Sequence, residues 1–215
     1  MKFTRKEIHL DELIVDNKNI DQVRSFSYVD TIVNGNNTLE EEITERIVKG
    51  NKAFYVNKKL FKSNLVSRKS KLKLYCSVIR QTAVYGCETW VLKESIIQKL
   101  SVFERKISRK IFGPTKEANG IWGIKTNKEL DELIKHRNII NYVKVQRLSW
   151  FGHINRIPET GTVKIIHKWK PFTGRPAGRP KSRWDDGDVR NGLKKMKRVK
   201  WAEQVQDQSK WKDIV

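Results

Sequence analysis

SIIQKLSVFERKISRKIF, residues 95–112, places Ile96, Leu100, Phe103, Ile107 and Ile111 at helical spacing on one face. Lys99, Arg105, Lys106, Arg109 and Lys110 fall on the other face, and Gly113-Pro114 supplies the stop. The apolar stripe predicts core packing. The basic face is left over for something else.

Upstream, Arg68 to Gly86 repeats the pattern with Leu72, Tyr75, Cys76, Ile79 and Ala83, while Lys69, Lys71, Lys73 and Arg80 fall largely off the stripe. A further helix is expected to start at Thr38, a good N-cap followed by Glu40, Glu41 and Glu42 at the positive end of the dipole. Before it, Leu13-Ile14-Val15, a turn at Asp16–Asn19, and Val23 to Val33 read as strands, closed by the loop Asn34-Gly35-Asn36-Asn37. Downstream, a helix from Lys128 carries Leu130, Leu133, Ile134, Ile140 and Val143 and is expected to run on towards Trp150. A short helical pair at Val189–Met196 and Trp201–Trp211 closes the chain.

Charge sharpens the picture. The net charge is +21, from 45 Lys and Arg against 24 Asp and Glu, with 38% hydrophobic and 32% charged residues. Such an excess repels itself unless a polyanion neutralises it, so a nucleic acid is the leading partner and an anionic membrane surface the competitor. Its distribution is segmented: residues 1–45 carry 5 basic and 10 acidic side chains, and residues 46–115 carry 17 and 3. Residues 116–143 carry 5 and 4, and residues 144–215 carry 18 and 7. No apolar run is long enough to span a bilayer, and MKFTRKEIHLDEL lacks the apolar stretch of a secretory leader. Cys76 and Cys87, eleven apart and without a CxxC, point to neither zinc nor a disulfide framework. An intracellular setting, nuclear or cytoplasmic, is the expectation.

Within the second basic block, residues 148–188 interleave Trp150, Phe151, Trp169 and Trp184 with arginines, lysines and two Gly-Arg-Pro triplets. Aromatic faces can stack on bases while cations neutralise phosphates, and the Pro-containing backbone cannot fold back into a helix. A solvated basic connector is the alternative reading. Gly174-Arg175-Pro176 and Gly178-Arg179-Pro180 partly resemble a minor-groove hook, without the basic residue that usually precedes its core.

No catalytic constellation assembles. Tyr28-Val29-Asp30-Thr31 has one carboxylate where two-metal phosphoryl chemistry needs several. Asp185, Asp186 and Asp188 could hold a divalent metal for nuclease chemistry, or could cap the helix that follows them. His9, His136, His153 and His167 share no ligand spacing.

Ordered motifs along the chain carry a resemblance. They include Phe26-Ser27-Tyr28-Val29-Asp30, Lys71-Leu72-Lys73-Leu74-Tyr75, Val84-Tyr85-Gly86-Cys87-Glu88-Thr89-Trp90 and Ile111-Phe112-Gly113-Pro114. Thr126-Asn127-Lys128-Glu129-Leu130, Arg147-Leu148-Ser149-Trp150-Phe151-Gly152-His153 and Gly178-Arg179-Pro180-Lys181-Ser182-Arg183-Trp184 continue the series. Together they resemble the C-terminal part of an endonuclease–reverse transcriptase from a non-LTR (LINE-type) retrotransposon. That family's metal-binding aspartates lie upstream of the matching region, so the resemblance implies an RNA-directed DNA polymerase fragment without its catalytic residues.

The implied architecture is mainly α: a helical thumb-like bundle, a small N-terminal β-hairpin element, and a Pro/Gly/Arg connector to a short helical tail. Its expected divisions are a palm-end β element at 1–37, a thumb-like domain at 38–115 and a basic nucleic-acid-binding region at 116–215. Departures resemble drift in a decaying copy, with Val29-Asp30 where the family has Leu-Gly, Arg80-Gln81 where it has Arg-Pro and Trp122-Gly123 where it has Trp-Arg. They imply a reading frame begun at an internal methionine, and an inert relic is an alternative. Expected contacts to template RNA or to DNA are Lys99, Arg105, Lys106, Arg109, Lys110, Arg147, Trp150, Arg156, Arg175, Arg179, Lys181, Arg183 and Trp184, with burial in a small core an equal alternative for Trp150 and Trp184. Neither a cofactor, a metal, a membrane nor a small-molecule substrate is expected.

Overall fold

A computed structural model describes residues 13–21, 23–36, 38–117, 120–169, 184, 189–196 and 201–214. The chain is mainly helical, with small antiparallel hairpins at its N-terminal end. β1 (Leu13–Val15) pairs with β2 (Lys18–Ile20) across Asp16-Asn17, and β3 (Ser25–Tyr28) pairs with β4 (Thr31–Asn34) across Val29-Asp30. All four turn residues have positive φ, the tight hairpin geometry whose twist matches that of the strands.

The second hairpin docks on α1 (Glu40–Val56) through Arg46, a buried side chain. Its guanidinium donates to Glu42 Oε1 at 2.7 Å, to Asp30 Oδ2 at 2.9 Å and to the Asp30 carbonyl at 2.5 Å. Glu42 Oε2 in turn accepts the Ile32 amide at 2.6 Å. Hydrogen bonds from Lys49 and Arg46 hold the Asp30 carboxyl below its ordinary range. Asp30 therefore ties a hairpin to a helix.

The Thr38 side chain does not cap α1. Leu39 stands at the N-cap position without a side-chain bond, and the Thr38 amide and hydroxyl are held by the buried Asn34 side chain, at 2.9 and 3.0 Å. After α2 (Lys58–Lys62), α3 (Arg68–Leu74) passes through a wide π turn at Tyr75–Ile79 into α4 (Arg80–Ala83). Lys71, Tyr75, Ile79 and Ala83 are all buried. Four-residue spacing overshoots an α-helical turn by about 40° per step, and a turn bonded i to i+5 takes up that drift. Lys71 thus falls on the core-facing stripe, not off it as periodicity alone suggested.

α5 (Glu94–Phe112) buries the whole predicted stripe, and Gly113 (φ 72°) ends it. Gly50 lets α1 approach closely, since a Cβ there would lie 2.8 Å from the Phe103 ring and 2.9 Å from Ala83. A short hairpin, β5 (Thr115–Lys116) with β6 (Trp122–Gly123), leads to α6 (Asn127–Ile134), which begins in a Thr126–Glu129 capping box.

The helix expected to run from Lys128 to Trp150 is interrupted. Lys135 takes a left-handed conformation (φ 56°), and Asn138 caps a new helix, α7 (Ile139–Arg156), by accepting the Asn141 amide at 2.7 Å. α8 (Thr162–Lys168), α9 (Arg190–Lys195), α10 (Trp201–Gln204) and α11 (Gln208–Ile214) follow. Helix therefore extends past Trp150 into what was read as connector, and the Gly-Arg-Pro run lies outside the described residues.

Two hydrophobic clusters result. The larger gathers Ile43, Trp90, Leu100, Phe103 and Ile107, and reaches Leu130, Ile139 and Val143. The smaller gathers Leu148, Phe151, Val189, Leu193, Val205 and Trp211. α7 contributes to both, so it is the strut between them. Glu104 caps its first turn from within the larger cluster, accepting the Ile139 amide at 2.9 and 3.0 Å and the Tyr75 hydroxyl at 2.9 Å. No helix among the described residues is long and apolar enough to cross a membrane.

Candidate nucleic-acid interface

α3 carries four cations in six residues, Arg68, Lys69, Lys71 and Lys73, and a cleft opens on either side of it. The first, about 600 Å³, runs between α2, α3 and the end of α5; Lys58, Lys62, Arg68, Lys71 and Lys110 line it. The second, about 440 Å³, lies between α3, α4 and α7; Lys69, Lys73, Arg80 and Arg137 line it. Among the described residues, neither cleft has a carboxylate in its wall. A ridge of this kind, positive on its crest and on both flanks, offers polyphosphate a continuous track.

Aromatic and polar neighbours set the shape of both flanks. Lys110 lies over the rings of Phe54 (4.7 Å) and Tyr55 (5.3 Å), at the mouth of the first cleft. In the second, the Arg80 guanidinium stacks on Tyr142 at 4.1 Å and donates to the Arg137 carbonyl at 3.0 Å. The Tyr142 hydroxyl contacts Gln81 Oε1 at 2.8 Å, so the guanidinium and its aromatic platform are fixed in place. Cys76 lies in this wall with its thiol pushed up by burial, and burial pushes Cys87 up to about 12. Burial thus disfavours the thiolate at both positions.

The residues expected to contact nucleic acid divide sharply. On α5, Lys99, Lys106 and Lys110 are exposed. Arg105 is half-buried and faces Asp131 at 3.6 Å. Arg109 is half-buried and holds the start of α6, donating to the Lys125 carbonyl at 3.2 Å and to Asn127 Oδ1 at 2.8 Å.

In the second block several of the expected contact residues turn inward. Arg147 is only 2% exposed; it donates to the Trp184 carbonyl at 3.3 Å and sits 5.7 Å from that indole ring. No outside phosphate reaches it without unpacking the joint. The Trp184 indole N–H donates to the Glu88 carbonyl at 2.6 Å and its ring packs near Phe151 and His167, the small-core alternative for this residue. Arg156 donates to the Val205 carbonyl at 3.0 Å, which ties α7 to the tail. Trp150 is half-buried with its ring stacked on His153, centroids 5.2 Å apart. Arg175, Arg179, Lys181 and Arg183 lie outside the described residues, as do Asp185, Asp186 and Asp188.

Reading by periodicity passed over α3 as an interface. The string RKSKLK carries the signal, four cations in six residues, but periodicity along one helix does not say what flanks it. Only the tertiary position of α2, α5 and α7 shows that the ridge has a basic cleft on each flank.

A Caenorhabditis elegans protein described as transposon-derived is 24% identical to this chain over 168 residues. The match covers 78% of the chain and 60% of that relative, so the chain spans less than two thirds of its length. This likeness points to a transposable-element origin without singling out a class of element. No family model matches, and no solved structure matches.

Proposed function

We propose that this chain is a non-catalytic, nucleic-acid-binding portion of a retrotransposon reverse transcriptase, gripping template RNA or DNA through phosphate contacts along α3. The carrying observation is the α3 ridge, whose cations stand between two clefts with no carboxylate in either wall among the described residues. The exposed lysines of α5 extend that surface, since Lys110 also lines the first cleft. The transposon-derived relative and the ordered motifs that resemble the thumb and C-terminal region favour this partner over an anionic membrane.

Phosphate neutralisation makes binding steeply salt-dependent. Covering six to ten phosphates costs about 10³-fold or more in affinity between about 50 and 200 mM salt. Fluorescence anisotropy with labelled single-stranded RNA, single-stranded DNA and duplexes across that range tests the reading. The expected result is tight binding at the low end, a linear log–log decline, and no cleavage of a plasmid control in Mg²⁺. Failure to bind any of these at about 50 mM salt overturns it.

A further inference from the structure

Trp122 is 65% exposed, on the short hairpin that leads from α5 to α6. An indole is highly buried on average, so a ring left this far in water asks for a reason. Ile121 and Ile124 beside it are 63% and 81% exposed.

The hairpin is built to hold the ring outward. Successive side chains of a strand point to opposite faces, and residues opposite one another across a pair share a face. Thr115 pairs with Gly123, and Lys116 with Trp122. The Thr115 face is committed to the start of α6: its hydroxyl donates to Glu129 Oε1 at 2.9 Å and accepts the Lys125 ammonium at 2.7 Å. Glu117 covers Gly123 on that side, since a Cβ there would lie 2.5 Å from Glu117 Oε1. Arg109, near the end of α5, braces the same joint through the Lys125 carbonyl and Asn127 Oδ1. The face with Trp122 and Lys116 is thus left to solvent, on a frame fixed from both helices.

The hairpin also continues the basic surface. Gly113 lines the first cleft, and Thr115 begins the hairpin two residues on, at most about 7 Å further. Lys116 is exposed and makes no ion pair among the described residues. A flat ring with a cation beside it, next to a basic cleft, supplies what a single strand needs: a face for a base and a charge for its phosphate. Three exposed apolar side chains fall short of the roughly 800 Å² per partner of a stable protein interface. Bases inside a duplex are already stacked on both faces, so only an unpaired one can reach a side chain.

We propose that Trp122 is a stacking platform for an unpaired base of RNA or DNA, with Lys116 and the cations of the first cleft on the neighbouring phosphates. The inference rests on the nucleic-acid reading above and deepens it, naming the single strand as the form this surface takes.

The test measures anisotropy of the full chain with a labelled single strand and a blunt duplex of the same length, for wild type, Trp122→Ala and Trp122→Phe. Trp122→Ala is expected to weaken single-strand binding about tenfold, and duplex binding by less than about a third of that factor. Trp122→Phe keeps a flat ring and is expected to recover most of the loss. Indole emission should be quenched when the single strand binds wild type, and measurably less in Trp122→Phe. Equal losses on single strand and duplex overturn the proposal, as does a Trp122→Phe chain as weak as Trp122→Ala. A wild-type chain that dimerises by light scattering, and is monomeric as Trp122→Ala with single-strand affinity intact, overturns it in favour of a second copy on this patch. If neither nucleic acid binds at about 50 mM salt, the broader reading falls and this site with it; if both bind and the variants match wild type, only this site does.

Discussion

Residues 46–115 and 144–215 are both strongly basic, yet the cations of α3 and those around α7 do different work. Around α3 the first block leaves Lys58, Lys62, Arg68, Lys69, Lys71 and Lys73 facing clefts or solvent with no carboxylate beside them among the described residues. In the described part of the second block, Arg147 is buried at the joint, Arg156 bonds the Val205 carbonyl, and Lys164, 6% exposed, donates to the Asn155 carbonyl at 2.6 Å. Lys168 pairs with Glu159, whose carboxyl is held below its ordinary range by that bond. Arg46 is the larger block's most buried cation, tying the second hairpin to α1, but that block closes its core mainly with aliphatic and aromatic side chains. The smaller cluster has few, so charged side chains satisfy carbonyls at its edges and serve as mortar. Positive charge in a composition count therefore says nothing about function until its direction is known.

The sharpest way to separate the two blocks is to break one and watch the other. Gly152 sits on α7 where a Cβ would lie 2.1 Å from Trp211 Nε1, and Trp211 is buried with its N–H bonded to the Leu148 carbonyl at 3.0 Å. Gly152→Ala has nowhere to put its methyl, so the smaller cluster should lose about 3 kcal/mol. A thermal melt followed by tryptophan fluorescence reads this. Affinity for nucleic acid through α3 should stay within about twofold in the same protein. A melt unchanged from wild type contradicts the packing; affinity lost in step with it contradicts the division of labour.

Next in size is the complementary change, Lys69→Gln with Lys73→Gln, at two exposed positions on the α3 crest. Each phosphate contact removed lowers the salt slope by about one, so the pair should flatten it by about two and weaken binding about tenfold at low salt. The melting temperature should not move. An unchanged slope would take α3 out of the interface. Smaller still is Arg156→Gln, which removes a bond to a carbonyl and should cost about 1 kcal/mol of stability without altering the salt slope. Were the slope to fall instead, Arg156 would belong with the outward cations.

Much of the fold could be read from periodicity, and the misses share one cause. The apolar stripe of α5 is regular at 3.6 residues, and that helix appeared at its expected bounds with Gly113 at its end. Along Lys71, Tyr75, Ile79 and Ala83 the spacing is four, and a π turn redirects the face; no count at a fixed period reveals that. At Asn138 a capping side chain breaks a stretch whose hydrophobic pattern runs straight through. Site residues fared less evenly, because a helical position fixes a direction only relative to its own helix. Lys99, Lys106 and Lys110 are exposed as the α5 wheel required, whereas Arg147 and Trp184 face a second cluster that assembles from segments far apart in sequence.

The smallest expected effect concerns the strut that joins the blocks. Glu104 belongs to the first block's core, yet it fixes the start of α7, the helix that carries Arg147, Gly152 and Arg156. Burial raises its carboxyl above the ordinary value, outweighing the bonds from the Ile139 amide and the Tyr75 hydroxyl, which favour the ion. Because the folded-state value is the higher one, the folded protein holds this proton more tightly than the unfolded chain. That contribution is complete below the unfolded value of about 4.3 and is lost as pH rises through the folded value. Glu104→Gln keeps an acceptor for Ile139 and a donor for the rotatable Tyr75 hydroxyl, so at neutral pH it should change stability by less than about 1 kcal/mol. What should change is the trend: wild type should lose stability relative to the variant as pH rises from about 4 towards 7, and urea melts at several pH values measure it. Parallel curves would mean that Glu104 titrates alike in the folded and unfolded chain, and the strut would then be held by its apolar contacts alone.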